Sequence, residues 1–376
     1  MAVGAPPRGP VSEAPVTPSP VDWALAERIA RRVAGREPLA TSYLGDSLRR
    51  DFAEVTAEAE TLVTALTGLR PPRPATAEVL DRAGWASANV ASMQRMLAPL
   101  TAKMGERMAR SPIAPVGRRI AGTEMGLLLG FLAQRVLGQY DLLVPEDPDF
   151  GFTDDAVYYV GPNVLGLEKR FAFRPRDFRL WIALHELTHR AQFTGVPWMR
   201  GYFLSLVEQS LSLVDPDPRT LVQALGRAAA EIRAGRNPLD DGGLVGLLAT
   251  PEQRGLLAQV QALMSLLEGH GNLVMNHLGH EHVAGQERMA RVLRARRQQR
   301  GIAGLVQKLL GLELKMRQYE VGEAFCEEVE REAGLGALDA VWRGPEHLPT
   351  LDELERPTVW LARVSGPPGA AATNGR

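Results

Sequence analysis

The sequence is poor in cysteine and has no long hydrophobic run. Its single cysteine, Cys326, excludes an intrachain disulfide and favours a reducing compartment. The longest apolar run, at 125–133, is too short to span a bilayer, and the N-terminus lacks the apolar core of a signal peptide. We therefore predict a cytoplasmic protein with no membrane partner.

The sequence also lacks a strong net charge. It has 43 basic and 44 acidic residues and a formal net charge of −1, so no global field would attract nucleic acid. Its apolar fraction of 45% and charged fraction of 23% are typical of a globular protein that can bury a substantial core. We expect no nucleic-acid partner, and the sequence carries no signal for an oligomeric state.

Helical periodicity dominates the chain. Apolar residues recur at three- and four-residue spacing over 21–35, 47–68 and 76–100. The segment 118–138 is apolar around most of its circumference, which is typical of a buried helix. No fixed-period repeat and no long linker divides these segments, so one domain is predicted.

A short region between the helical segments has a different pattern. From 139 to 175, β-branched and aromatic runs alternate with Pro, Gly and Asp. We predict short strands at 139–144, 156–161 and 169–173. The fold class is therefore mainly α with a small β element.

The two ends of the chain differ from the part between them. Residues 1–20 and 366–376 are rich in small residues and proline and are expected to be disordered. The single domain is predicted to span 21–365.

One short motif in this domain is a candidate for metal binding and catalysis. H-E-L-T-H places His185, Glu186 and His189 inside a predicted helix that begins at an N-cap, Asp177, and ends at a left-handed C-cap, Gly195. Residues four apart on a helix have Cβ atoms about 5–6 Å apart, so both histidines can bind one Zn²⁺. Glu186 is turned about 100° from His185, so it can reach a water on the metal as a general base.

The same motif could be an ordinary part of an amphipathic helix. With seven histidines in the chain, this pattern arises by chance with a probability of about 1 in 100. The flanking segments 180–184 and 190–193 are largely apolar, and bare imidazoles beside a core would be costly. We therefore favour the metal site.

A third ligand is expected on a second predicted helix, at about 258–278. Glu268 is favoured there, as in thermolysin-like zincins, in which a Glu on a second helix completes the site. His270 competes for this role, but it lies about 200° from Glu268 around the helix, so both cannot reach one metal. His270 and Tyr319 are weaker candidates for stabilising an oxyanion, and Asn272 for orienting an imidazole through its amide oxygen.

These motifs together resemble a known family. The segments QYDLLVPE, YYVGPNV, FRLWIALHELTHRAQFTGVPWMRGYF, LLEGHGNLVMN and the region from 309 to 364 are similar, in order, to zincin-like metallohydrolases. This family is mostly actinobacterial and is described as associated with deazaflavin-coenzyme biosynthesis, an association that gives no reaction.

The resemblance covers about 21–365 and implies a mostly helical zincin-like fold. It implies that His185, His189 and Glu268 are metal ligands and that Glu186 is catalytic. It also implies that the strand at 156–161 is an edge along which an extended peptide aligns.

The expected function is hydrolysis by a zinc-dependent metallopeptidase or amidase, with Zn²⁺ as cofactor and a peptide or small amide as substrate. Glu186 would take the proton of the attacking water and pass it to the leaving nitrogen. The alternative is a non-catalytic zinc protein that keeps the fold for partner binding or stability. Glu186 disfavours this alternative, because a structural site needs no base and usually has four protein ligands.

Overall fold

The computed structural model describes most of the chain. The described residues are 19–35, 44–98, 101, 114–142, 155–212, 250–298 and 313–365, with the side chains of 251, 296–298 and 313–320 left out. Apart from residues 19 and 20, both predicted tails lie outside this part, so their disorder stays a prediction.

Helices form most of the described chain, and the predicted class is confirmed. They are α1 (Trp23–Ala34), α2 (Leu44–Thr67), α3 (Arg82–Met96), α4 (Ala114–Ala133), α5 (Gly161–Phe171), α6 (Pro175–Thr194), α7 (Met199–Ser212), α8 (Pro251–His282), α9 (Gln286–Gln298), α10 (Glu313–Ala333), α11 (Leu351–Leu354) and α12 (Pro357–Ser365). Two 3₁₀ segments, Leu335–Trp342 and Pro345–His347, connect α10 to α11. Among the described residues, none of the helices combines the length and the hydropathy that a transmembrane span needs.

Three short strands form a mixed sheet against these helices. They are β1 (Thr76–Leu80), β2 (Gly138–Tyr140) and β3 (Ala156–Val160), in the order β1-β3-β2. β1 is parallel to β3 and β2 is antiparallel to it. Every residue of β3 is buried, and the ring of Tyr159 stacks on Phe52 of α2 with centroids 3.9 Å apart. The sheet is therefore buried on the face that meets α2.

The strand predicted at 156–161 exists, but its expected position in the sheet is wrong. β3 is the central strand, flanked by β1 and β2, so its backbone is already paired on both sides. An extended peptide cannot align along it. β2 corresponds to the first part of the strand predicted at 139–144, and residues 143 and 144 lie outside the described part.

Two further local predictions are wrong because tertiary contacts override the sequence pattern. Residues 76–80, predicted as helix, pair in parallel with β3 from Thr76–Ala156 to Leu80–Val160. The helix starts only after Asp81, whose carboxylate accepts from the backbone N–H of Gly84 at 2.6 Å. The strand predicted at 169–173 is instead the end of α5, which a left-handed Ala172 terminates at φ 48°.

Helix α4 is buried on one side only, contrary to the predicted all-round burial. Gly122, Gly126 and Gly130 face α1 so closely that a Cβ at Gly126 would lie 2.6 Å from the carbonyl oxygen of Ala26. On the other side Ile120 and other large apolar residues are exposed. One side of α4 thus packs on α1 while apolar residues on the other side stay exposed, so the apolar sequence of this helix does not indicate full burial.

Helix α6, which carries H-E-L-T-H, lies at the centre of the largest core cluster. It packs against α2, α8 and β2. Its N-cap is Arg174, with Pro175 in the first turn, and the predicted cap Asp177 lies inside that turn. Gly195 follows the helix with a right-handed φ of −77°, so the predicted left-handed C-cap is also wrong.

Candidate metal centre

The two histidines of α6 are the least buried positions on a deeply buried stretch. From Phe178 to Phe193 every residue is buried except His185 and His189, which are half-buried. Helix α8 packs against this side of α6. The imidazoles therefore lie in a cleft that water can reach, with apolar core around them.

Glu268 of α8 completes a cluster of three ligand-type side chains. The Nε2 atoms of His185 and His189 are 3.3 Å apart, and Oε1 of Glu268 is 3.8 Å from Nε2 of His189. One ligand atom from each of the three residues lies within 4.8 Å of the others. The three residues predicted as metal ligands therefore converge, although Glu268 lies 79 positions after His189 in the chain.

The donor set fits a zinc ion. Two nitrogens bound tetrahedrally at about 2.0–2.1 Å lie about 3.3 Å apart, which is the separation of the two imidazole nitrogens here. Two histidines and one carboxylate leave one tetrahedral position for water or substrate, the arrangement of catalytic zinc sites. The half-burial of all three side chains keeps that position accessible.

Glu186, which follows His185 on α6, lies against strand β2. Its Oε2 accepts from the backbone N–H of Tyr140 at 3.1 Å, and its side chain is 7% exposed. The carboxylate also packs on Gly138, where an added Cβ would lie 2.8 Å from Oε1. Strand β2 thus fixes the carboxylate of the residue that follows the first histidine of the motif, the position at which H-E-x-x-H carries its general base.

A buried amide contacts His189 on the side away from Glu268. Gln192 lies one turn along α6, and its Oε1 is 3.0 Å from Nδ1 of His189. Its Nε2 donates to the carbonyl oxygen of Leu267 at 2.9 Å and lies 3.0 Å from Nδ1 of His270. Sequence reasoning missed Gln192, although an amide three residues after a candidate ligand in an apolar run was a usable signal.

His270 faces Gln192 and does not point toward Glu268. It is 5% exposed, and its ring meets Trp342 edge to face at 5.0 Å. Burial, helped by the nearby His189, lowers the pKa of His270 to about 4, so this imidazole is neutral at pH 7. It is a core histidine behind the cluster, which does not fit the oxyanion role considered for it.

Asn272 does not make the expected contact, and the role considered for Tyr319 stays a prediction. Asn272 donates through Nδ2 to Oε2 of Glu323 at 3.1 Å, and the orienting contact to an imidazole comes from Gln192 instead. Tyr319 belongs to α10, but its side chain lies outside the described part of the chain.

The chain is similar to a known family and to a solved structure. The family model for zincin-like metallopeptidases matches residues 21–361. A crystal structure from Chloroflexus aurantiacus, described as a "putative hydrolase with a novel fold", is similar, with 32% sequence identity and a TM-score of 0.68. The likeness covers 92% of this chain and 99% of that chain. No curated protein matches.

Proposed function

Because the chain belongs to the family of zincin-like metallopeptidases, we propose that it is a zinc-dependent hydrolase of peptide or small amide bonds. The convergence of His185, His189 and Glu268 is the observation that carries this proposal, and the buried carboxylate of Glu186, which follows His185 on α6, is the candidate base. Three protein ligands with a base beside them suit catalysis, whereas a structural site would use four ligands and no base. The alternative of a non-catalytic zinc protein is therefore disfavoured.

Each residue has a definite task in this proposal. The two imidazoles and Glu268 would hold Zn²⁺, which supplies Lewis-acid polarisation of the scissile carbonyl and acidifies a water molecule. Glu186 accepts a proton from the attacking water on its carboxylate and delivers it to the nitrogen of the leaving amine as the C–N bond breaks. The backbone N–H of Tyr140 keeps that carboxylate in the cleft.

The edge of strand β2 favours an extended substrate. The backbone N–H of Val160 bonds to the carbonyl oxygen of Leu137, so in this antiparallel pair the polar groups of Gly138 and Tyr140 point away from β3. The contact of the Tyr140 N–H with Glu186 fits this direction. A peptide that paired with Gly138 would therefore run past the general base, which is recognition by strand addition.

The first test is metal content and cleavage on protein purified without a metal-affinity tag. We expect about one zinc per chain by mass spectrometry, and a sharp loss in Glu268→Ala. Glu281→Ala is the matched control, because Glu281 lies on the same helix with its side chain 75% exposed. Activity would be measured on a mixed peptide library, with new termini read by mass spectrometry.

Glu186→Gln separates the base from the ligands. This variant should keep its zinc and lose cleavage by a factor on the order of 10²–10⁴, because the amide cannot accept the proton. Full cleavage in Glu186→Gln would refute the assigned mechanism. Absence of zinc from wild-type protein, even after zinc is offered and the excess removed, would refute the proposed function itself.

A further inference from the structure

The side chain of Gln192 forms a polar bridge between the two helices of the candidate site. It is fully buried, at 0% exposure, although it carries one acceptor and two donors. It spans from His189 on its own helix to Leu267 and His270 on α8. A buried amide is costly unless each of its groups is bonded, so these three contacts together account for its presence.

The contact with Leu267 fixes which way the amide points. The carbonyl oxygen of Leu267 can only accept, so the atom 2.9 Å from it must be the NH₂ nitrogen of Gln192. The second hydrogen of that nitrogen faces Nδ1 of His270, 3.0 Å away. The opposite orientation would bring two acceptor oxygens together. Oε1 of Gln192 therefore faces His189.

The orientation of the amide in turn fixes the tautomer of His189. Oε1 of Gln192 is an acceptor, so Nδ1 of His189, 3.0 Å away, must carry the hydrogen. In the neutral imidazole Nε2 then keeps its lone pair. Nε2 is the atom that faces Nε2 of His185 at 3.3 Å and Glu268 at 3.8 Å.

We propose that Gln192 is a positioning residue that holds His189 in the Nδ1–H tautomer, presents Nε2 to the metal and ties this ligand to the backbone of α8. The metal part of this inference rests on the proposed function, whereas the tautomer is a property of the metal-free chain. Outer contacts of this kind change metal affinity by about 10–100-fold when they are removed.

The other imidazole has a different neighbour, which provides an internal comparison. Nδ1 of His185 lies 3.1 Å from the sulfur of Met275, a buried residue of α8. A thioether sulfur is a weak acceptor, so this contact restrains its imidazole less than an amide oxygen does. We therefore predict that Gln192→Met weakens zinc binding more than Met275→Leu does.

The tautomer is measured on wild-type protein without metal. The chain is labelled with ¹⁵N-histidine, and the ring nitrogens of His189 are observed by NMR at pH 8, with His189→Gln used to assign the signal. A proton on Nδ1 and a bare Nε2 are expected. A proton on Nε2 would overturn the proposal, whether or not the protein binds zinc.

Zinc affinity is then measured by competition with a chelator of known affinity. Gln192→Met should bind zinc 10–100-fold more weakly, Met275→Leu no more than a few-fold more weakly, and Asn272→Ala as tightly as wild type. Asn272 is the matched control because its amide bonds to Glu323. Thermal unfolding of each metal-free variant identifies any variant that does not fold. If Gln192→Met does not fold, the tautomer of His189 in the wild-type protein is the test of the proposal.

The outcomes separate the two proposals. Zinc bound by wild type but equally well by a folded Gln192→Met would overturn the positioning role and leave the hydrolase intact. A wild-type protein that binds no zinc but shows the Nδ1–H tautomer would overturn the hydrolase and leave the role of Gln192 in setting that tautomer.

Discussion

Gly271 keeps open the space between α8 and the two histidines of α6. A Cβ at this position would lie 3.4 Å from Cε1 of His189 and 4.0 Å from Nδ1 of His185, both ordinary van der Waals contacts. One added methyl group therefore fits, whereas a longer side chain would extend into the cleft that the ligands share. The position of Gly271 beside the two histidines thus explains why the second glycine of E-G-H-G-N is a glycine.

We predict opposite results for a small and a large substitution at Gly271. Gly271→Ala should fold, keep about one zinc per chain and gain about 0.5–1 kcal/mol of stability, because glycine in a helix is entropically costly. Gly271→Leu should fold but lose zinc. Metal analysis and urea unfolding measure both effects. Gly255→Leu is the control, since nothing lies within 4 Å of a Cβ at Gly255 on the same helix. Zinc retained in Gly271→Leu would contradict this account of the cleft.

At the scale of elements, the contact between α8 and α10 depends on a pair of glycines. A Cβ on Gly269 would overlap the backbone of Gly322, and a Cβ on Gly322 would overlap the backbone of Ser265. The two helix backbones therefore touch directly at this crossing. Gly269 is only two residues from Gly271, but it faces α10 instead of α6, so the two glycines serve different contacts.

Gly269→Ala should destabilise the protein, in contrast to Gly271→Ala. The added methyl group forces α8 and α10 apart, and overpacking of this kind costs about 1–3 kcal/mol. The free energy of unfolding, measured in urea, gives the difference from wild type. Gly255→Ala, with open space around its Cβ, should instead be neutral or stabilising. An unchanged stability of Gly269→Ala would mean that the helices separate there at little cost.

At the scale of the whole molecule, Arg190 joins α6 to distant parts of the chain. Its guanidinium is fully buried and donates to Asp155 at 2.8 Å, to Glu60 of α2 at 2.6 Å and to the carbonyl oxygen of Arg73 at 2.6 Å. The second oxygen of Glu60 accepts from the N–H of Ala75, just before β1. One side chain thus holds the motif helix, α2 and the approaches to β1 and β3 together.

Removing this cation should be among the most damaging single changes in the fold. Arg190→Met leaves the carboxylates of Glu60 and Asp155, 21% and 15% exposed, without their partner, and breaking such a pair costs about 3–5 kcal/mol. Urea unfolding measures the loss. Arg331→Met, which removes an exposed ion pair with Glu328, should leave the stability close to that of wild type. Similar effects for the two variants would refute the role given to Arg190.

The sequence was sufficient to predict the part of the candidate site that depends on the local geometry of one helix. His185, Glu186 and His189 owe their relation to the fixed geometry of one helix, which five consecutive residues of sequence specify. Glu268 was favoured because it lies in an apolar helical run and because thermolysin-like zincins take their third ligand from a Glu on a second helix. The cytoplasmic location, the substrate class and the deazaflavin association stay predictions.

The rest was decided by contacts between segments far apart in the chain. β1 is a strand because β3 pairs with it, and Glu186 is held by β2, which begins 48 residues earlier at Gly138. Gln192 reaches the backbone of Leu267, 75 residues away. Periodicity reports only which side of an element is apolar, and it carries no information on which backbone group a buried polar side chain will meet. The sequence alone was enough to name His185, His189 and Glu268 as candidate ligands, whereas the contacts that orient their side chains became visible only in the fold, because hydrogen-bond partners across an interface exist only after the elements have packed.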